Sequence, residues 1–131
     1  MSHLIAHGVD LVDVSRIEQS INEHGQRFID RCFTPQEADY AQSAKPPRNF
    51  ERFAARFAAK EAVLKALGTG WANGIAWTDV EIRRLPSGVP TVYVSGKAAE
   101  IAARLGITDF QLSLTHTSTQ AMASVIASNS G

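Results

Sequence analysis

The stretch 53–70, Phe-Ala-Ala-Arg-Phe-Ala-Ala-Lys-Glu-Ala-Val-Leu-Lys-Ala-Leu-Gly-Thr-Gly, constrains the fold more than any other. It is rich in Ala and Leu, and nothing breaks it before Gly68, so it predicts a long helix from about Asn49 to Leu67 with Gly68 as a left-handed stop. At ~100° per residue, Phe50, Phe53, Phe57, Leu64 and Leu67 fall on one arc. Glu61 falls inside that arc, with Lys65 one turn further on. A buried carboxylate without a partner costs several kcal/mol or more. The pattern therefore calls for a lysine, a metal ion or both beside Glu61.

The 131 residues suit a single domain, 1–131, large enough for a real core. No apolar run approaches the ~18 residues needed to span a membrane. No basic segment followed by an apolar core opens the chain. The single cysteine, Cys32, cannot form an internal disulfide and reads as a buried helix thiol or, less simply, a nucleophile. A cytoplasmic location is the expectation. The formal net charge is zero, which gives nucleic-acid binding no support. That zero conceals an asymmetry: residues 1–44 carry net −4 and residues 45–65 net +4. Arg48, Arg52, Arg56 and Lys60 step by four along the predicted helix and make a slowly drifting basic ridge. Such a ridge is either a solvated helix face or a site for a small polyanion such as a phosphorylated cofactor.

The remaining elements follow from period and punctuation. Leu4–Val14 reads as a strand, and Ser15-Arg16-Ile17-Glu18 matches a capping box that would start a helix running toward His24 and Gly25. Thr34-Pro35-Gln36-Glu37 starts another helix reaching about Gln42, which Lys45-Pro46-Pro47 ends in a loop. Asp79–Leu85 and Thr91–Val94 flank a turn at 86–90 and read as a hairpin. Lys97–Leu105 is a short helix ended by Gly106. Phe110–Thr115 and Ala121–Ala127 are strands around a polar turn, and Asn129-Ser130-Gly131 reads as a loose tail. The expected class is α+β, a mostly antiparallel sheet packed against one long helix.

Three polar residues stand in apolar settings: Asp10 in Gly8-Val9-Asp10-Leu11-Val12, Glu61 on the helix, and His116 at a strand end. Two carboxylates with little histidine or sulfur nearby favour a hard cation, Mg²⁺ or Mn²⁺, which keeps waters and takes other ligands from phosphate. The basic ridge shares a helix with one of them, and together they suggest phosphoryl-group chemistry. Each residue also has a plainer reading. Asp10 would cap a turn, Glu61 would pair with Lys65, and His116 would be a satisfied strand-end histidine.

Three blocks resemble the holo-acyl-carrier-protein synthase family of 4′-phosphopantetheinyl transferases. They are Gly8-Val9-Asp10-Leu11-Val12 with Arg16-Ile17; Arg56-Phe57-Ala58-Ala59-Lys60-Glu61-Ala62 with Lys65-Ala66-Leu67-Gly68-Thr69-Gly70; and Leu112-Ser113-Leu114-Thr115-His116-Thr117 with Ala121-Met122-Ala123. The resemblance implies the family's fold and a reaction in fatty acid biosynthesis. Phosphopantetheine moves from coenzyme A to a serine of an apo acyl carrier protein, and adenosine 3′,5′-bisphosphate leaves. It implies Asp10 and Glu61 as ligands of Mg²⁺, Lys65 beside the transferred phosphoryl group, and Glu61 or a metal-bound water as acceptor of the serine proton. Arg56 and His116 match positions at the nucleotide end of coenzyme A. Gly68-Thr69-Gly70 is either a close backbone approach to the cofactor or a helix stop, and it lacks the ending of a Walker loop. Arg16 and, more weakly, Arg27 match the surface that docks the carrier. Members of this short type are homotrimers with sites at subunit clefts.

The chain departs from the family in two places. Ala6-His7 replaces glycine and an aliphatic residue, leaving His7 as a neutral surface residue or a perturbation of the site. The docking segment 16–31 is neutral rather than basic. Two other functions stay open on the residues alone: a metal-dependent hydrolase of a phosphorylated nucleotide, and a non-catalytic module that binds coenzyme A or a carrier.

Overall fold

The computed structural model describes residues 3–72 and 74–130. In chain order the elements are β1 (His3–Asp13), α1 (Val14–His24), α2 (Gln26–Cys32), α3 (Pro35–Gln42), α4 (Arg48–Leu67), a helical turn Trp77–Asp79, β2 (Val80–Arg84), β3 (Pro90–Val94), α5 (Gly96–Arg104), β4 (Asp109–His116) and β5 (Gln120–Asn129). The strands form two antiparallel sheets rather than the single one expected: a three-stranded sheet ordered β1-β5-β4 and the hairpin β2-β3. The register places Asp10, Ala123 and Leu114 on one line across the larger sheet.

Helix α4 packs on β1 and β5 and is far more enclosed than an amphipathic surface helix. Ala54, Ala58, Ala59 and Ala62 are wholly buried, alongside Phe53, Phe57 and Leu64. The small side chains let the helix press onto the sheet. A Cβ added to Gly8 would stand 2.0 Å from the Ala62 carbonyl oxygen. Glycine in β1 thus fixes the helix–strand separation that brings Asp10, two residues on along the same strand face, under α4. Gly68 ends the helix in the left-handed conformation (φ 76°), as its position predicts.

Thr34 makes the predicted reciprocal cap with Glu37. The capping box expected at Ser15 does not form. Helix α1 begins at Val14 with Asp13 as its N-cap and no side-chain cap bond. The strand runs straight into the helix, and the first amide, Val14 N–H, donates instead to the Thr119 carbonyl at 2.9 Å. The chain's second helix, α2, follows Gly25 (φ 58°) and carries buried Ile29 and Cys32. The expected loose tail is also corrected: Asn129 closes β5 and donates to the Gly106 carbonyl at 2.6 Å, and Ser130 N–H donates to Thr108. Gly131 lies outside the described residues.

Lys60 does not belong to the basic ridge. Its ammonium is fully buried, 2.8 Å from the buried Glu37 carboxylate, and donates to the Trp77 and Val80 carbonyls. Glu37 also accepts from Thr34 N–H (2.8 Å) and Ile82 N–H (2.7 Å), so both charges are satisfied. Burial depresses the Lys60 pKa, and Glu37 opposes that shift. The pair ties α3, α4 and β2 together at the turn of α4 just before Glu61.

Candidate active site

Asp10, Glu61 and Lys65 converge. Lys65 Nζ lies 3.0 Å from Asp10 Oδ1 and 2.9 Å from the Val9 carbonyl. The local Glu61–Lys65 ion pair is therefore not what the lysine makes. Glu61 is half-buried. Burial first, and the Asp10 charge next, raise its carboxyl above the ordinary range, while Trp71, Arg16 and Lys65 pull the other way. A half-buried carboxyl raised by burial and by the charge of a second carboxylate marks a site for positive charge. Among the described residues no group of three or more His, Cys, Asp or Glu converges as a cation site. A pair of carboxylates with no third such group among the described residues fits Mg²⁺, which retains waters and takes substrate phosphate oxygens, better than a fully protein-ligated ion.

An aromatic ladder walls this site. Phe28 stacks on Phe57, Phe57 on Trp77 (4.7 Å between centroids) and Trp77 on Trp71 (3.7 Å). The Trp71 indole nitrogen is buried without a hydrogen-bond partner. It favours the charged form of Glu61 without reaching hydrogen-bond geometry. The Arg16 guanidinium lies 5.4 Å above the Phe57 ring, so this exposed arginine borders the carboxylate pair. Arg27 lies further off, in a groove of about 210 Å³ with His24, Phe28 and Arg31.

The turn after α4 has positive φ at Gly68 (76°) and Gly70 (56°), and an added Cβ at either would meet nothing within 4 Å. Thr69 Oγ1 donates to the Gly70 carbonyl, and Thr69 faces a groove with Lys97, Ile101 and Arg104. The glycines serve the backbone turn, and their outer side is open.

Arg56 and His116 meet elsewhere, in a cleft of about 660 Å³ that Arg48, Arg52, Tyr40 and Arg84 also line. The His116 Nδ1 is 3.1 Å from Glu51. Arg56 is buried (5% exposed), its Nε is unpartnered, and burial lowers its pKa. Three members of the ridge thus line a cavity and the fourth is core. Tyr40, Arg84 and Glu51 were not legible in the sequence. Arg84 arrives by the β2–β3 hairpin and Tyr40 by α3, and neither sits in a motif.

The two sites are separated on one protomer. Arg56 and Glu61 are about 7.5 Å apart along α4 and about 140° apart around it. The β1-to-β4 spacing across the sheet adds roughly 10 Å between Asp10 and the strand carrying His116.

An α+β fold whose long helix sets one acid against a strand aspartate and gives three arginines to a separate cleft defines a class, and comparison with known proteins agrees. The chain belongs to the 4′-phosphopantetheinyl transferase superfamily, whose sequence profile matches residues 6–121. A holo-[acyl-carrier-protein] synthase of Koribacter versatilis is 50% identical over 94% of this chain and 97% of its own. That of Solibacter usitatus is 47% identical over 96% and 99%. Among solved structures, the acyl carrier protein synthase of Plasmodium yoelii with ADP bound has a TM-score of 0.86 at 30% identity, covering 100% of this chain and 99% of its own. The holo-(acyl-carrier-protein) synthase of Bacillus anthracis in complex with coenzyme A (3′,5′-ADP) has a TM-score of 0.80 at 31% identity, over 97% and 98%.

Proposed function

We propose that this protein transfers the 4′-phosphopantetheine group of coenzyme A to a serine of an apo acyl carrier protein, with Asp10 and Glu61 holding Mg²⁺. The observation that carries the reading is the convergence of Asp10, Glu61 and Lys65 at one end of α4, while the same helix supplies Arg48, Arg52 and Arg56 to an anion cleft. In the reaction the serine oxygen bonds to the phosphorus that bears pantetheine. The bond from that phosphorus to the bridging oxygen breaks, and adenosine 3′,5′-bisphosphate leaves with the bridging oxygen. Bound Mg²⁺ supplies charge neutralisation and Lewis-acid polarisation of the phosphoryl oxygens. Lys65 orients Asp10 and adds positive charge where the phosphoryl group passes. Glu61, made more basic by burial and by Asp10, is suited to accept the serine proton. Arg56 and His116 bind the nucleotide end, the Gly68-Thr69-Gly70 turn leaves room beside it, and Arg16 and Arg27 receive the acidic carrier.

The active form we propose is a homotrimer. The outer face of the three-stranded sheet exposes Val9, Leu11, Met122 and Ile126, four apolar side chains from adjacent strands β1 and β5. The separation of Arg56 from Glu61 around α4 supports a site in which one protomer gives the carboxylates and its neighbour the cleft. A free, buried Cys32 and the absence, among the described residues, of a helix long and apolar enough to cross a membrane accord with a cytoplasmic enzyme.

Incubation with coenzyme A, Mg²⁺ and an apo carrier tests the function by mass spectrometry. The expected result is a phosphopantetheine adduct on the carrier serine. Coenzyme A breakdown without any carrier, or no adduct on a panel of carriers, would overturn it.

A further inference from the structure

The Tyr40 ring gathers three cations. The guanidinium carbons of Arg52, Arg56 and Arg84 lie 4.3, 4.2 and 4.4 Å from its centroid. They come from different elements: Arg52 and Arg56 from α4, one turn apart, and Arg84 from the end of β2. Arg52 is further fixed by donating to the Tyr40 carbonyl (2.9 Å) and Ser43 Oγ (3.0 Å). All three line the 660 Å³ cleft. Three like charges around one ring repel one another. A ring face offsets each by only about 0.5–2 kcal/mol. The acid in the cleft, Glu51, is directed at His116. Arg56 keeps a buried Nε with no partner. The cluster is therefore a preassembled receptor for an oxyanion carrying more than one charge.

Coenzyme A carries phosphate in two places, the diphosphate bridge and a ribose phosphomonoester. The carboxylates at Asp10 and Glu61 repel bare phosphate, so the bridge belongs there only with a metal. The arginine cluster, with no metal needed, suits the monoester dianion. We infer that Tyr40 is a positioning residue that holds Arg52, Arg56 and Arg84 as one fork, that Arg84 contacts the ligand, and that together they set the preference for a nucleotide bearing the extra phosphomonoester. The inference rests on the coenzyme A reading above and adds the residues that enforce its selectivity.

Calorimetric binding of adenosine 3′,5′-bisphosphate and of adenosine 5′-monophosphate to the full-length chain tests it. The wild type is expected to favour the bisphosphate by tenfold or more. Tyr40→Phe, which keeps the ring, should retain that preference. Tyr40→Leu and Arg84→Met should reduce it to about threefold or less, with the kinetic loss in KM for coenzyme A and not in kcat. Melting temperatures identify a variant that has merely unfolded, and Arg84→Met, at an exposed hairpin end, keeps the test independent of Tyr40. An unchanged preference in folded Tyr40→Leu and Arg84→Met overturns the inference alone, as does equal weakening toward both nucleotides. A wild type that binds neither nucleotide overturns the coenzyme A reading with it.

Discussion

Lys65 reaches past Glu61, its neighbour one turn back on α4, and pairs with Asp10 on β1 at 3.0 Å. The helix thus uses its lysine to hold a strand carboxylate in place and leaves Glu61 half-buried, with no ion pair among the described residues. The Lys65 side chain is 55% exposed and that of Asp10 only 15%, so the ion pair itself adds little stability, about 0–1 kcal/mol. Lys65→Ala is expected to melt within a few degrees of wild type and yet to lose about 10–100-fold in turnover, the effect of one displaced charge at a transferring phosphoryl group. Steady-state kinetics beside thermal melts check this, and a large loss of melting temperature would assign Lys65 to the fold instead.

Glu61 makes a pH prediction whose sign follows from its raised pKa. A carboxyl whose folded value lies above its unfolded value favours folding when protonated. That contribution is complete below the unfolded value of about 4.3 and is lost as pH rises through the folded one. Without metal, Glu61→Gln should therefore be more stable than wild type at neutral pH, and the difference should close toward about pH 4. Added Mg²⁺ should raise the melting temperature of wild type and leave that of Glu61→Gln unmoved. Melting curves in chelator and in Mg²⁺ across this range measure both arms.

Lys60 and Lys65 lie on one helix, five residues apart, and should behave as opposites. Lys60→Met leaves the Glu37 carboxylate buried without its counter-charge and should cost about 3–5 kcal/mol, against under about 1 kcal/mol for Lys65→Met. Urea unfolding of the two variants reads the contrast directly.

Cys32 should be a poor nucleophile. Burial pushes its thiol from 9.0 up to about 11, outweighing the opposing charges of Arg31 and Lys60. Iodoacetamide at about pH 8 is expected to alkylate the folded protein far more slowly than the urea-unfolded chain. Because the folded value is the higher one, the neutral thiol supports folding up to pH 9.0, and that support is lost as pH climbs to about 11.

The α4 helix and its glycine stop were legible because composition and a single breaker define them locally. So was the Thr34 cap, where both partners lie within four residues. The Ser15 cap failed because the true first amide is satisfied across the sheet by Thr119, more than a hundred residues away. Spacing placed Lys60 with Arg48, Arg52 and Arg56, since a period of four looks the same whether a cation meets solvent or a buried acid. Its partner Glu37 was already occupied in a local capping reading. The sequence could nominate Asp10 and Glu61 separately as carboxylates in apolar settings. Their meeting depends on Gly8 admitting α4 to within contact of β1, which no pattern announces. Tyr40 and Arg84 stayed invisible because each is ordinary in its own segment and acquires meaning only through the other's arrival.

Trp71 and Trp77 are the two tryptophans of this chain, and their rings lie 3.7 Å apart at 33°. Indoles that close couple their electronic transitions. The pair should therefore give a near-ultraviolet circular dichroism signal far larger than two isolated rings would. Trp71 sits just beyond the Gly68-Thr69-Gly70 turn, while Trp77 is held on Phe57 of the core. The segment that borders the carboxylates carries its own optical gauge, whose amplitude follows, with no label attached, whether the turn stays docked as ligand arrives.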